Sequence, residues 1–123
     1  MARKIAQLSI MLALAVAGAG LSAAPANAAD VDLYQNRGGT GGYFGAGATA
    51  PTYHGYYFNN GTRLWDAVTS LRNNRGNWTT FWTNAHCSGS GYSVAPYTER
   101  PYVGATFNDT FSSHAPEWVR NGC

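Results

Sequence analysis

Asn108-Asp109-Thr110-Phe111-Ser112-Ser113 is the stretch that decides how this chain folds. Two adjacent amide or carboxylate side chains are followed, after two residues, by two hydroxyls. All four present hard oxygen atoms, the ligand type that calcium prefers. A weaker copy, Trp65-Asp66-Ala67-Val68-Thr69-Ser70, stands 43 positions upstream. A single polar string of six residues is more often a solvated turn. A spaced pair points to a duplicated unit with one box in each half.

The residues ahead of these halves have a different character. Arg3 and Lys4 give a positive start, residues 5–21 form an apolar, Ala-rich run, and Ala26-Asn27-Ala28 is a small-x-small cleavage pattern. Residues 1–28 are therefore expected to be a secretory signal peptide, with Ala29 opening an extracellular chain. No later segment is long and apolar enough to span a bilayer, so no membrane association is expected after cleavage. Residues 29–123 suffice for one domain with one modest core, expected to be a monomer. In that part Arg37, Arg63, Arg72, Arg75, Arg100 and Arg120 balance Asp30, Asp32, Asp66, Glu99, Asp109 and Glu117. A balanced surface gives a nucleic-acid partner no electrostatic support.

Four Trp, eight Tyr and five Phe lie beyond the signal segment, and the chain has 15 Gly. Aromatics and Thr favour strands, while Gly and Asn favour the turns between them. The first half is expected to place strands at 31–36, 53–58 and 68–72, with 38–47 as a loose glycine-rich hairpin. The second half repeats the order, with strands at 78–83, 92–95, 102–107 and 111–114. About four strands per half, each with its box before the last, make two Greek keys, about 31–74 and 77–115, with a tail at 116–123. Packed face to face they form an all-β sandwich.

Cys87 and Cys123 are the two cysteines. In an exported chain one disulfide is the simplest reading, with intermolecular pairing or free thiols as alternatives. Zinc held by His86 and Cys87 is disfavoured: neighbours on a strand point to opposite faces, and no CxxC or HxxxH spacing is present.

The two boxes and their hairpins resemble the βγ-crystallin superfamily. Its calcium box is Asn/Asp-Asn/Asp-x-x-Ser/Thr-Ser. Asn108 to Ser113 matches all four specified positions, and the upstream copy matches three, with Trp65 in the lead place. The hairpin signature of that superfamily is an aromatic, four residues, Tyr or Phe, one residue, then Gly. Tyr34…Gly39-Thr40-Gly41 and Trp82…Cys87-Ser88-Gly89 keep its two ends and lack the middle aromatic. The stretches Val68-Thr69-Ser70-Leu71-Arg72-Asn73-Asn74 and Thr80-Phe81-Trp82-Thr83-Asn84-Ala85-His86-Cys87-Ser88-Gly89 are similar to a secreted actinobacterial branch, the streptomycete metalloproteinase-inhibitor family. Many members of that branch carry a further cysteine pair, which is missing here.

The resemblance implies weak calcium binding between the boxes, each supplying a backbone carbonyl and a hydroxyl, with side-chain oxygens crossing from the partner box. The ligands it carries over are Asn108, Asp109, the Thr110 carbonyl and Ser112, with Asp66, the Ala67 carbonyl and Thr69. It also implies a non-enzymatic proteinase inhibitor whose partner is an extracellular protease. The inhibitor's reactive bond has no identifiable counterpart in this sequence. The segment 95–101 is the candidate inhibitory loop: Pro96 and Pro101 stiffen it, and Tyr97 and Arg100 could fill side-chain pockets. The alternatives on the same scaffold are a calcium-binding structural or cell-surface module and a killer-toxin-like antimicrobial protein. A hydrolase is disfavoured because neither a G-x-S-x-G elbow nor an H-E-x-x-H helix organises His54, His86 or His114. The Tyr- and Gly-rich stretch 38–57 is first core aromatics with turn glycines. Its second reading is an exposed surface of the kind carbohydrate or protein binders present.

Overall fold

The computed structural model describes residues 29–119 and 122–123, so the expected signal peptide lies outside the described residues. Seven strands run in order: β1 (Val31–Asn36), β2 (Thr40–Ala46), β3 (Ser70–Asn73), β4 (Thr79–Asn84), β5 (Ser88–Val94), β6 (Thr98–Arg100) and β7 (Ser113–Pro116). They form two antiparallel sheets, β2-β1-β3-β6 and β5-β4-β7. β6 comes from the second half but closes the sheet of the first. The exchange is reciprocal, because Ala50 of the first half bridges to His114 of β7. Each sheet thus borrows an edge from the other half, as two interlocked Greek keys do. No helix of the described residues is long and apolar enough to cross a membrane.

One hydroxyl in each half fixes this geometry. Ser70 donates from Oγ to the Asn36 carbonyl (2.6 Å) and accepts from the Gly39 amide (3.0 Å). Ser113 repeats both bonds, donating to the Asn84 carbonyl (2.6 Å) and accepting from the Cys87 amide (3.0 Å). Each serine holds the tip of the preceding hairpin against the last strand of its own half. The hairpins are built for it. The β1–β2 and β4–β5 registers both shift, between Tyr34 and Asn36 and between Trp82 and Asn84. Left-handed backbone follows at Gly38 and Gly39 in one and at His86 and Cys87 in the other. Gly41 and Gly89 stand where a Cβ would come within 2.5 Å of the Asn36 and Thr83 side chains respectively.

The core lies between the sheets. Val31, Leu33 and Leu71 face it from one sheet, and Phe81 and Val94 from the other, all fully buried. Val68 and Phe111, the apolar residues inside the two boxes, are fully buried as well. Burying a Val, Leu or Phe in this way stabilises by about 1.5–3 kcal/mol each. His114 faces Phe81 in the ladder, at the place Leu71 takes opposite Leu33 in the other half. Its Nε2–H donates to the Gly47 carbonyl (2.8 Å), and its Nδ1 accepts from the Tyr53 hydroxyl (2.6 Å). Both ring nitrogens are satisfied by the neutral tautomer, and burial lowers its pKa to about 4. Asn73, also fully buried, donates from Nδ2 to the Asn77 and Val94 carbonyls and accepts from the Arg75 amide. It closes the linker between the halves. Cys87 and Cys123 form a disulfide with Cα atoms 5.3 Å apart, returning the chain's end to the second hairpin.

Several expected elements moved. Residues 40–46 are a strand, not part of a loose loop, because their glycines admit neighbours at close range: a Cβ on Gly42 would lie 2.6 Å from that of Phe58. Residues 88–91, expected as a turn, likewise belong to a strand. Residues 53–58 are not a strand despite four aromatics in six positions. Tyr53 and Phe58 are pulled into the core while Tyr56 and Tyr57 turn outward, and only a Tyr57–Arg63 bridge forms. Residues 102–107 are not a strand: 102–104 are irregular and a turn starts at 105, with Val103 anchored by burial and by its amide's bond to the Thr69 carbonyl.

Ser113→Ala and Ser70→Ala should each cost about 1–3 kcal/mol, because each leaves an amide, buried at Cys87 and half-buried at Gly39, and a carbonyl without a partner. Urea unfolding checks this, and a loss within a few tenths of a kcal/mol would dismiss the clamp. His114 supplies a pH dependence. Its folded pKa lies below the ordinary value of about 6.5, so the unfolded chain binds the extra proton between the two. The neutral ring's contribution is whole above about pH 6.5 and drains away as pH falls toward 4, about 3 kcal/mol in all. An NMR titration of the folded protein should show the His114 ring neutral down to about pH 5. A midpoint near 6.5 would contradict it.

Candidate metal centre between the two boxes

The clamps place the boxes. Asp66 lies four residues before Ser70, and Asp109 four before Ser113, so fixing the serines brings the two carboxylates to equivalent turns. Both aspartates adopt left-handed backbone, φ 54° and 58°. Asp is among the few residues other than Gly that visit this region readily, because its short polar side chain bonds locally.

The turns then engage each other crosswise. The Asp66 amide donates to the Phe111 carbonyl and the Asp109 amide to the Val68 carbonyl, each at 3.1 Å. Side chains cross in the same sense: Ser112 Oγ lies 3.3 Å from Asp66 Oδ1, and Thr69 Oγ1 lies 3.4 Å from Asp109 Oδ1. Each carboxylate therefore sits beside the hydroxyl of the opposite box. Both separations are long for a hydroxyl donating to a carboxylate, which normally closes to about 2.5–2.7 Å. Ser112 and Thr69 are buried, whereas Asp109 is exposed and Asp66 half-buried.

The lead positions differ. Asn108 points Nδ2 at Asp109 Oδ2 (3.3 Å), while its Oδ1 is buried and finds no donor among the described residues. Trp65, the lead of the upstream box, carries no oxygen. Its ring lies 3.9 Å from that of His54 and under the Arg63 guanidinium at 5.0 Å. The carbonyls of Ala67 and Thr110 lie within the same two turns. Among the described residues no group of three His, Cys, Asp or Glu side chains converges. A metal here would rest on two carboxylates supplemented by hydroxyl, amide and carbonyl oxygens.

The histidines are occupied elsewhere. His114 is locked in the core, His54 stacks on Trp65, and His86 Nδ1 lies 3.3 Å from the Cys123 carbonyl. The segment proposed as an inhibitory loop divides in two. Thr98–Arg100 is β6, paired with β3, which leaves residues 95–97 as the connection. Tyr97 is left-handed (φ 52°), its amide donates to the Arg75 carbonyl, and both Tyr97 and Arg100 are half-buried.

Sequence reasoning missed the serine clamps, although Ser70 and Ser113 are the closing residues of the two boxes. The resemblance implies that side-chain oxygens cross from the partner box, but it did not say that Asp66 would meet Ser112 and Asp109 would meet Thr69. The 43-residue spacing was the available signal, because a strict repeat places like beside like across a pseudo-twofold axis.

No protein-family model matches the sequence, and no curated protein does. Solved structures do. One from work on the evolution of the eye lens beta-gamma-crystallin domain fold is 17% identical, covering 78% of this chain and 91% of that one, with a TM-score of 0.63. A betagamma-crystallin domain from Flavobacterium johnsoniae is 20% identical, covering 76% and 98%, with a TM-score of 0.59. A betagamma-crystallin domain from Clostridium beijerinckii is 22% identical, covering 70% and 94%, with a TM-score of 0.57. Likeness at such low identity is a statement of fold. Two interlocked antiparallel sheets, each borrowing an edge from the other half, make the described residues a βγ-crystallin domain in fold.

Proposed function

We propose that this is an exported, non-enzymatic βγ-crystallin module that binds calcium between its two boxes and is stabilised by it. The observation that carries the reading is the crossing of Asp66 with Ser112 and of Asp109 with Thr69 at 3.3 and 3.4 Å. Two oxygens bound at right angles to one calcium, each about 2.4 Å from it, stand about 3.4 Å apart. The crossed pairs have that spacing, and the separation is too long for a strong charged hydrogen bond. The buried Asn108 Oδ1 adds an oxygen in need of a partner. The residues present thus fit the ion. Asp109, Thr69 and the backbone of one turn would hold it at one place; Asp66, Ser112 and the other turn would hold it at the second. When bound, calcium would neutralise the two carboxylates and tie the halves together. With two carboxylates in all, the expected affinity is that of extracellular modules, Kd about 0.1–1 mM.

A second reading, an inhibitor of an extracellular protease as the actinobacterial resemblance implies, is favoured by one feature. β6 stands at the edge of its sheet and carries Glu99 and Arg100 beside the stiffened turn at Pro96 and Tyr97. An edge strand can pair with an extended cleft by strand addition.

Protein prepared with chelator should give heat on calcium titration and a higher melting temperature. At about ten times Kd the gain is about 1.4 kcal/mol. Asp109→Ala and Asp66→Ala should each weaken the response, and Trp65→Ala should leave it largely intact. No heat and no melting shift at millimolar calcium would reject the site. For the second reading, the protein is assayed against thermolysin-like and subtilisin-like proteases with a chromogenic substrate. Slowing that Tyr97→Ala with Arg100→Ala abolishes would support the loop. The absence of any slowing would leave the calcium module alone.

A further inference from the structure

The two halves are unequal, and the inequality builds a pocket. Positions in β1 and β2 recur 48 residues later in β4 and β5, while the boxes and last strands recur 43 residues later. The first half therefore carries five extra residues between the end of β2 and its box. That excess is spent on an excursion tied down at its ends. The Phe58 amide bonds to the Thr62 carbonyl, the Leu64 amide to the Tyr56 carbonyl, and the Asn59 amide to the Tyr43 carbonyl. Between the excursion and the end of β2 lies an open pocket of about 180 Å³.

The lining is chemically selective. Phe44 and Tyr56 form an aromatic wall, their ring centroids 5.7 Å apart and edge to face. Leu64 and Ala50 supply further apolar surface, and Thr49 and Thr52 supply hydroxyls. No lining residue is charged. The Tyr53 hydroxyl is committed to His114 and the Thr52 hydroxyl accepts from the His54 amide, so Thr52 keeps its proton to donate. A Cβ on Gly47 would meet nothing within 4 Å, so the side it faces is open. Tyr56 and the adjacent Tyr57 are 52% and 58% exposed, and no packing of the domain accounts for two such rings side by side.

A charged ligand finds no counter-charge in this lining, and a wholly apolar one would strand its hydroxyls. A flat neutral ring with an apolar face and a hydroxylated edge satisfies both walls. A cavity of about 150 Å³ holds a benzene ring, so the space suits one six-membered ring. We propose that this pocket binds a neutral hexopyranose unit of an oligosaccharide, its apolar face on Tyr56 and Phe44, its hydroxyls toward Thr49 and Thr52, with Tyr57 beside the next unit. The site shares no residue with the boxes, so it stands or falls independently of calcium.

The test is an NMR amide titration of the protein as recovered from its expression host, disulfide intact and chelator present. The probes are cellotriose and triacetylchitotriose, with N-acetylphenylalanine amide and glucuronic acid as alternatives. At least one trisaccharide should shift amides around Phe44, Gly47, Thr49 and Tyr56, with Kd on the order of 1 mM. Tyr56→Ala should weaken binding about tenfold or more with an unchanged melting temperature, and Tyr56→Trp should retain it. Trp78→Ala, removing an exposed ring elsewhere, should leave binding unchanged. Silence with both trisaccharides overturns the proposal. So do shifts with phenylalanine amide alone, which would make this an apolar side-chain pocket, shifts with glucuronic acid alone, or sugar binding that Tyr56→Ala leaves intact.

Discussion

The fold depends on two buried hydroxyls. Ser70 and Ser113 each bridge a hairpin tip to the last strand of their own half, and the two sets of bonds match in both distances. A hairpin with left-handed backbone at its tip leaves an amide and a carbonyl that the strand ladder does not satisfy. Left without partners in the interior, such groups cost more than a typical hydrogen bond gains. One serine satisfies both at once and thereby fixes where the third strand of the half must lie. The boxes run directly into that serine, so the clamp also sets the position of Asp66 and Asp109. Fold and candidate metal site are two consequences of one constraint.

Much of this was legible in the sequence, for particular reasons. β1 was read to the residue because VDLYQN combines strand formers with an abrupt polar end. β3 and β7 were located because each follows its box. The glycine-rich strands were not legible, because strand propensity reflects packing on a pleated surface. Thr40–Ala46 and Ser88–Val94 pack through absent side chains, where a ring or a neighbouring residue takes the space a Cβ would need. The aromatic run at 53–58 failed for the opposite reason. Its residues have strong strand preference, but the sheet edge at that point receives only the Ala50 bridge, so the excess chain leaves the ladder. For the candidate site, residue types and spacing were readable. Crossing between the boxes was implied by the resemblance alone, and which carboxylate meets which hydroxyl was not legible, because it depends on how two distant turns meet.

Two fully buried polar side chains lie where symmetry breaks. His114 occupies the position of Leu71, and Thr79 that of Val31. In exchange the Ala50 crossing, whose amide and carbonyl pair with the His114 backbone, is flanked by two side-chain ties: the ring holds the Gly47 carbonyl and the Tyr53 hydroxyl. A leucine there would pack well but would leave those two groups without partners. The histidine thus anchors both ends of the segment that leads into the first-half excursion.

What the halves share and what they do not divide along physical lines. The shared parts follow the pseudo-twofold relation: the clamps order each half, and the crossed boxes bind the halves to each other. The unshared parts are a disulfide on the second hairpin and a five-residue excursion in the first. Both sit away from the relation, where change costs the interlocked sheets little. The disulfide joins Cys87, at the hairpin tip that Ser113 clamps, to the end of the chain. It therefore reinforces the half whose tip uses His86 and Cys87 in the left-handed region, where the first half uses Gly38 and Gly39. Non-glycine residues at positive φ cost on the order of 1–3 kcal/mol each unless the surroundings hold them. The covalent tie and the serine clamp meet at the point where that cost arises. The glycine tip carries no such cost and needs no tie, and its half is the one that spends extra residues on an exposed aromatic surface.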